Sequence, residues 1–136
     1  MSDLRSMHKW RALAVSCIDG RFIVRTVEWL QREAGEAFDF RTEVGASKAI
    51  IDSPDNRERF FAVIETSIRL HDIKEVWLID HIDCGAYGGS GKFGSAEEER
   101  AFHIKKLREA AKVICNRFSE LKVQLAYADW EEIEKL

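Results

Sequence analysis

Two short stretches hold the residues best suited to chemistry. One reads Cys17-Ile18-Asp19-Gly20-Arg21 and the other His81-Ile82-Asp83-Cys84-Gly85. Two thiolates and an imidazole make a soft-to-borderline ligand set, the mixture that zinc accepts in tetrahedral geometry. With Cys17, His81 and Cys84 as ligands, a fourth position stays open to water, as in catalytic zinc sites. Residues two apart in extended backbone point to one side, so Cys17, Asp19 and Arg21 can face a common point. A turn over His81 and Cys84 can aim ring and sulfur at one ion, and Gly85 lets the chain bend tightly. Taken alone, His-x-x-Cys is a weak signal, because such residues more often pack in a core. Its weight depends on where the fold puts it.

The hydrophobic pattern supplies that placement. Residues 11–17 read as a short buried strand, 22–33 as a helix with Phe22, Ile23, Val27 and Leu30 on one stripe, and 37–44 as a second strand. One or two helical turns follow over 46–51. Ser53-Pro54 starts a helix that runs to about His71, with Phe60, Phe61, Ile64 and Ile68 facing inward. The continuous apolar run in 75–80 suits a central parallel strand. Ser95 with Glu98 forms a capping-box pattern before a long helix striped by Ile104, Leu107, Ala111, Ile114 and Phe118. Residues 123–128 read as a last strand, and 130–136 as a final helical turn. This order predicts one α/β domain over residues 1–136. It is three-layered, with a mainly parallel central sheet of about four strands flanked by helices. Cys17 and the His81–Cys84 pair then fall at the carboxyl ends of strands, where open parallel sheets place their sites. That lifts the metal reading above packing.

Composition narrows the function classes. The chain has 136 residues, 46% of them apolar and 33% charged, with a net charge of −3. This is globular composition, and no basic block points to nucleic acid or to an anionic membrane. The longest apolar runs are strand-sized, far short of a membrane span. The stretch at residues 12–15 is also too brief for a secretory signal, which implies an intracellular, cytoplasmic protein. Three cysteines, Cys17, Cys84 and Cys115, cannot all pair within one chain. In a reducing compartment they are buried, metal-bound or catalytic.

The two motifs resemble those of the β-class carbonic anhydrases, Cys-x-Asp-x-Arg after one strand and His-x-x-Cys-Gly after another. The element order agrees over roughly residues 11–128, while the specific matches are confined to these motifs. The resemblance implies a zinc ion held by Cys17, His81 and Cys84, with Asp19 and Arg21 as a dyad beside it. Asp19 would either take the fourth zinc position or turn to Arg21 and admit water. It also implies reversible hydration of carbon dioxide to bicarbonate by a zinc-bound hydroxide. Two other outcomes stay open: hydrolysis of carbonyl sulfide or carbon disulfide at the same site, and a zinc-binding domain without turnover. Family members commonly have Ser where Gly20 stands. They carry an Arg-Asn-Ala-Gly-Asn-like stretch where this chain reads Arg41-Thr42-Glu43-Val44-Gly45-Ala46. Many relatives have a longer N-terminal arm that clasps a partner. With 16 residues before Cys17, a homodimer or higher homo-oligomer would rely on a trimmed interface.

Other residues have plainer expectations. Cys115, beside Ile114, reads as a core residue; His103 as surface or boundary; His8 and His71 as solvent-facing or capping. Asp83 is suited to binding backbone N–H groups, and Asp80 to orienting His81. The Gly-rich loop 85–94 lacks the pattern of a phosphate loop, since Phe93 stands where Ser or Thr is required. Closure over a metal site suits it better. Glu97, Glu98 and Glu99 favour a helix N-terminus.

Overall fold

A computed structural model describes residues 3–136. Five strands form one sheet: β1 (Ala12–Cys17), β2 (Asp39–Glu43), β3 (Glu75–His81), β4 (Lys122–Ala128) and β5 (Ile133–Lys135). They lie in the order β2-β1-β3-β4-β5. The first four are parallel, and β5 runs antiparallel to β4. Four α-helices accompany them: α1 (Ile23–Glu33), α2 (Ser47–Asp52), α3 (Pro54–His71) and α4 (Ala96–Arg117). None of the described helices is long and apolar enough to cross a membrane.

Strand alternation divides the core into two layers. Leu13, Val15, Val76 and Leu78 face α2, α3 and α4, packing with Ile50, Phe60, Ile64, Leu107 and Ile114. On the other face Ala12, Ala14, Trp77 and Ile79 meet Phe22, Leu30 and Ala34 at α1. The smallest side chains of β1 thus lie under α1, and its larger ones under three helices. The expected three-layer α/β architecture is present.

Local signals set the helix starts. Ser53 accepts the Asn56 N–H ahead of Pro54, and Ser95 accepts the Glu98 N–H at 3.1 Å. Glu98 reaches back to the Gly94 N–H rather than to that of Ser95, one residue beyond a strict capping box.

Several expectations are corrected. The tail is a fifth strand, not a helical turn. Asp129 accepts the N–H groups of Glu131 and Glu132, which reverses the chain onto β4. The buried stripe of α4 runs Glu99, His103, Leu107, Ala110, Ile114. It includes Ala110 rather than Ala111, and it buries His103 completely. Cys115 is exposed, because one residue past Ile114 is a turn of about 100° around the helix. In α1 the buried positions are Thr26 and Leu30, with Val27 only half-buried. His71 is half-buried too, its ring stacked on Trp10 at 3.9 Å and its Nδ1 2.8 Å from Asp39.

Candidate metal centre

The strand order reverses between β1 and β3: β1 leads to β2 on one side, and β3 leads to β4 on the other. At such a switch point the loops diverge and leave a crevice beyond the carboxyl ends. Cys17 is the last residue of β1, His81 the last of β3, and Cys84 closes the turn that follows. All three are buried, and one ligand atom from each lies within 4.8 Å of the others. Among the described residues they are the group of this kind that could hold a metal ion.

His81 is oriented for that task. Its Nδ1 lies 2.6 Å from the Ile82 carbonyl, so Nδ1 carries the proton. Nε2 is then the nitrogen left for a metal, buried and without a hydrogen-bond partner. The ring stacks on Phe22 at 4.3 Å between centroids, which fixes its plane. A buried unpartnered nitrogen is costly, and two adjacent sulfurs with such a nitrogen are a donor set that fits zinc.

The metal-free electrostatics agree. A hydrogen bond from the Cys84 thiol pulls Cys17 down to about 4; burial opposes this, while His81 and the N–H groups of Gly45 and Asp19 assist. Cys84 moves the opposite way, since it gives its proton to the Cys17 sulfur and is itself buried. Burial disfavours charge on His81, but the Cys17 thiolate, the Ile82 carbonyl and Asp19 outweigh it and raise its pKa. The pocket already stabilises one thiolate.

Beside it lies a carboxylate–guanidinium pair. Arg21 donates from Nη2 to Asp19 Oδ2 at 2.6 Å and from Nε to Oδ1 at 3.0 Å, a forked pairing. The Arg21 N–H also reaches Oδ1, at 2.9 Å. These bonds, the side-chain ones first, hold the Asp19 carboxyl down at about 2. Asp19 Oδ2 lies 3.8 Å from His81 Nε2, which puts the pair at the edge of the ligand group.

The described chain matches, over residues 7–134, the model of the family described as "Putative carbonic anhydrase". The chain belongs to this family.

An uncharacterized protein of Rickettsia conorii is 33% identical over 129 residues, covering 88% of this chain and 68% of that one. Another, from Rickettsia bellii, is 31% identical over 129 residues, covering 88% and 77%. A tetrameric β-carbonic anhydrase of Sordaria macrospora superimposes with a TM-score of 0.66 at 20% identity, over 98% of this chain and 83% of that one. The β-carbonic anhydrase CafA of Aspergillus fumigatus gives 0.53 at 19% identity, over 98% and 77%. The β-carbonic-anhydrase fold is thereby established.

Within this carbonic anhydrase fold, all five motif residues gather at one place. Asp83 does accept a backbone N–H, from Ser90 at 2.8 Å, but it also accepts Arg21 Nη1 at 3.1 Å. Asp80 does not orient His81; it faces the opposite side of β3 and binds Ser47 and His103. The start of the Gly-rich loop packs onto the ligands as expected, with Tyr87 against Cys17 and Cys84. Three residues near the site escaped sequence reasoning: Ser47, Tyr87 and Glu99. Glu99 accepts the Asp83 N–H at 2.7 Å and the Ser90 hydroxyl at 2.8 Å, which secures the loop. A buried Glu in a solvated-looking acidic run leaves no local trace.

Proposed function

We propose that the chain is a zinc-dependent lyase that reversibly hydrates carbon dioxide to bicarbonate. Cys17, His81 and Cys84 would hold the metal, and Asp19 and Arg21 would serve the reacting water. The observation that carries this reading is the convergence of a free, buried His81 Nε2 with two sulfurs and the forked Arg21–Asp19 pair. Zinc, when bound, supplies a Lewis acid that lowers the pKa of water at the position the protein leaves open.

The remaining work falls to side chains. Asp19 stays charged at any pH near neutrality, so it accepts a hydrogen bond and turns a water lone pair towards the substrate carbon. Arg21 would hold that carboxylate through its forked bonds, so that Asp19 need not become a metal ligand. Phe22 and Tyr87 wall the ligands from bulk solvent, which strengthens each electrostatic interaction inside.

A homo-oligomer suits the surface. Val24 and Trp130 are exposed, and Trp29, Phe38 and Phe40 are half-buried on the α1 side of the sheet. The Sordaria macrospora neighbour is tetrameric. A reducing, cytoplasmic setting fits a centre that needs two free thiolates.

Stopped-flow hydration assays on zinc-loaded protein test the activity, with one zinc per chain verified by elemental analysis. The expected result is rapid hydration that Cys84→Ser abolishes. Equal rates for the two proteins, or no retained zinc in the wild type, would refute the reading.

A further inference from the structure

The metal centre leans on a turn of unusual backbone. Gly45 has φ +79°, and Ala46 has φ 46° with ψ −94°. A residue with a Cβ holds such angles only where its surroundings impose them. This turn touches both halves of the site. On one side it follows closely on Glu43, the β2 residue paired in register with Cys17. On the other, Gly45 lies so close to the loop after Cys84 that a Cβ on it would come within 3.0 Å of the Ala86 Cβ. Ser47, next in the chain, places its hydroxyl 2.8 Å from the hydroxyl of Tyr87, whose ring packs with Cys17 and Cys84.

Asp80 is what imposes the turn. Its Oδ1 accepts the Ser47 N–H at 3.1 Å, and its Oδ2 accepts the Ser47 hydroxyl at 2.7 Å. The same Oδ2 accepts His103 Nδ1 at 2.7 Å. Asp80 is 2% exposed, and Ser47 and His103 are fully buried. With Nδ1 bonded to Asp80, Nε2 is left buried with no hydrogen-bond partner. An apolar side chain would occupy that space without an orphaned nitrogen. The Nδ1 bond to Asp80 is thus the polar contact that His103 makes here.

We propose that Asp80 and His103 are positioning residues for the metal centre. They lock the turn of residues 45–47 against Cys17 and against the loop that carries Cys84. β3 supplies both parts of the device, because adjacent strand residues point to opposite faces. His81 turns towards Phe22 and the ligand group, while Asp80 turns towards α2 and α4. The proposal rests on the assignment of Cys17, His81 and Cys84 as metal ligands.

Cobalt(II) substitution tests it without relying on turnover. Thiolate-to-cobalt charge-transfer absorption reports the sulfur geometry, and transfer of cobalt to a chelator reports how firmly it is held. His103→Leu removes the Nδ1 donor; His103→Asn restores an N–H donor near that position. We expect His103→Leu to shift the charge-transfer band and to speed metal release about tenfold, the scale of outer-shell effects. His103→Asn should return both readings most of the way to wild type. Ser47→Ala cuts the links to Asp80 Oδ2 and to Tyr87 with the smallest change in volume, and should shift the same band. If His103→Leu fails to fold, Ser47→Ala decides. Unchanged band and release in the folded variants overturn the proposal, although wild-type cobalt binding would leave the ligand assignment standing. Wild-type protein that takes up no cobalt overturns the assignment and the proposal together.

Discussion

Arg21 bridges the two motifs: its guanidinium donates to the Asp83 carboxylate at 3.1 Å and to the Asp83 carbonyl at 3.1 Å while it grips Asp19. The residues are 62 apart in the chain. The guanidinium also lies 5.1 Å from the Trp130 ring centroid and 5.7 Å from that of Phe22. A single cation therefore fixes the turn after β1 to the turn after β3, each of which carries metal-ligand candidates.

Arg21→Lys keeps the charge and loses the planar fork that pairs with two carboxylates. Hydration activity should fall by roughly two orders of magnitude, comparable to the loss of one preorganised donor. The melting temperature should hardly change, since the side chain is about half exposed and solvent screens its ion pairs. Stopped-flow rates and thermal melts on the same samples check both halves. A large drop in melting temperature would make the effect structural instead.

The Asp19 carboxyl sits at about 2 against an ordinary 3.8, chiefly through its hydrogen bonds from Arg21. A depressed folded-state pKa stabilises the protein fully above the unfolded value and ceases to do so as pH falls through the folded one. Wild type should thus exceed Asp19→Asn in stability at neutral pH, and the gap should close between about pH 4 and about pH 2. Denaturant titrations across that window measure it. No limb of the activity profile above about pH 4 should belong to Asp19.

Metal removal should expose the asymmetry of the two sulfurs. With Cys17 drawn down to about 4 and Cys84 pushed up, metal-free protein at about pH 6 should alkylate at Cys17 far faster than at Cys84. Resupplied zinc should protect both. Peptide mass mapping distinguishes these sites from surface Cys115. Equal rates at Cys17 and Cys84 would contradict the shared-proton arrangement.

Gly45→Ala should be destabilising. Besides its φ of +79°, an added Cβ would lie 2.9 Å from the Lys48 Cβ and 3.0 Å from the Ala86 Cβ. Forcing a side chain into that conformation costs about 1–3 kcal/mol, and relief of the contacts must shift Lys48 or the Ala86 loop beside Cys84. Chemical denaturation should register the stability loss, and chelator competition a weaker hold on metal.

Ile114 and Cys115 are neighbours with opposite surroundings. Ile114 is fully buried among Phe61, Leu107 and Phe118 in the core cluster, and Cys115 is at the surface. Ile114→Ala should cost about 2–5 kcal/mol, whereas Cys115→Ser should stay within about 0.5 kcal/mol of wild type. Two denaturation curves suffice.

These contrasts follow the range over which each cause acts. The ligand spacing of Cys17, Asp19 and Arg21, the run from Val76 to Ile79, and the caps at Ser53 and Ser95 are written within a few residues. Short-range sterics and hydrogen bonds enforce them wherever they occur, so the order of the first four strands and their helices, the sheet type and the five motif residues were legible from the chain alone. Folding decided the rest, because it depends on what lies across a packed interface. The face that α4 presents is set by the sheet beneath it, which buried His103 and turned Cys115 out. The last strand forms because Asp129 reverses the chain where β4 offers a free edge. Asp80 serves the turn at Ser47 rather than His81, because neighbouring strand residues face opposite ways and α2 and α4 close over only one of those faces.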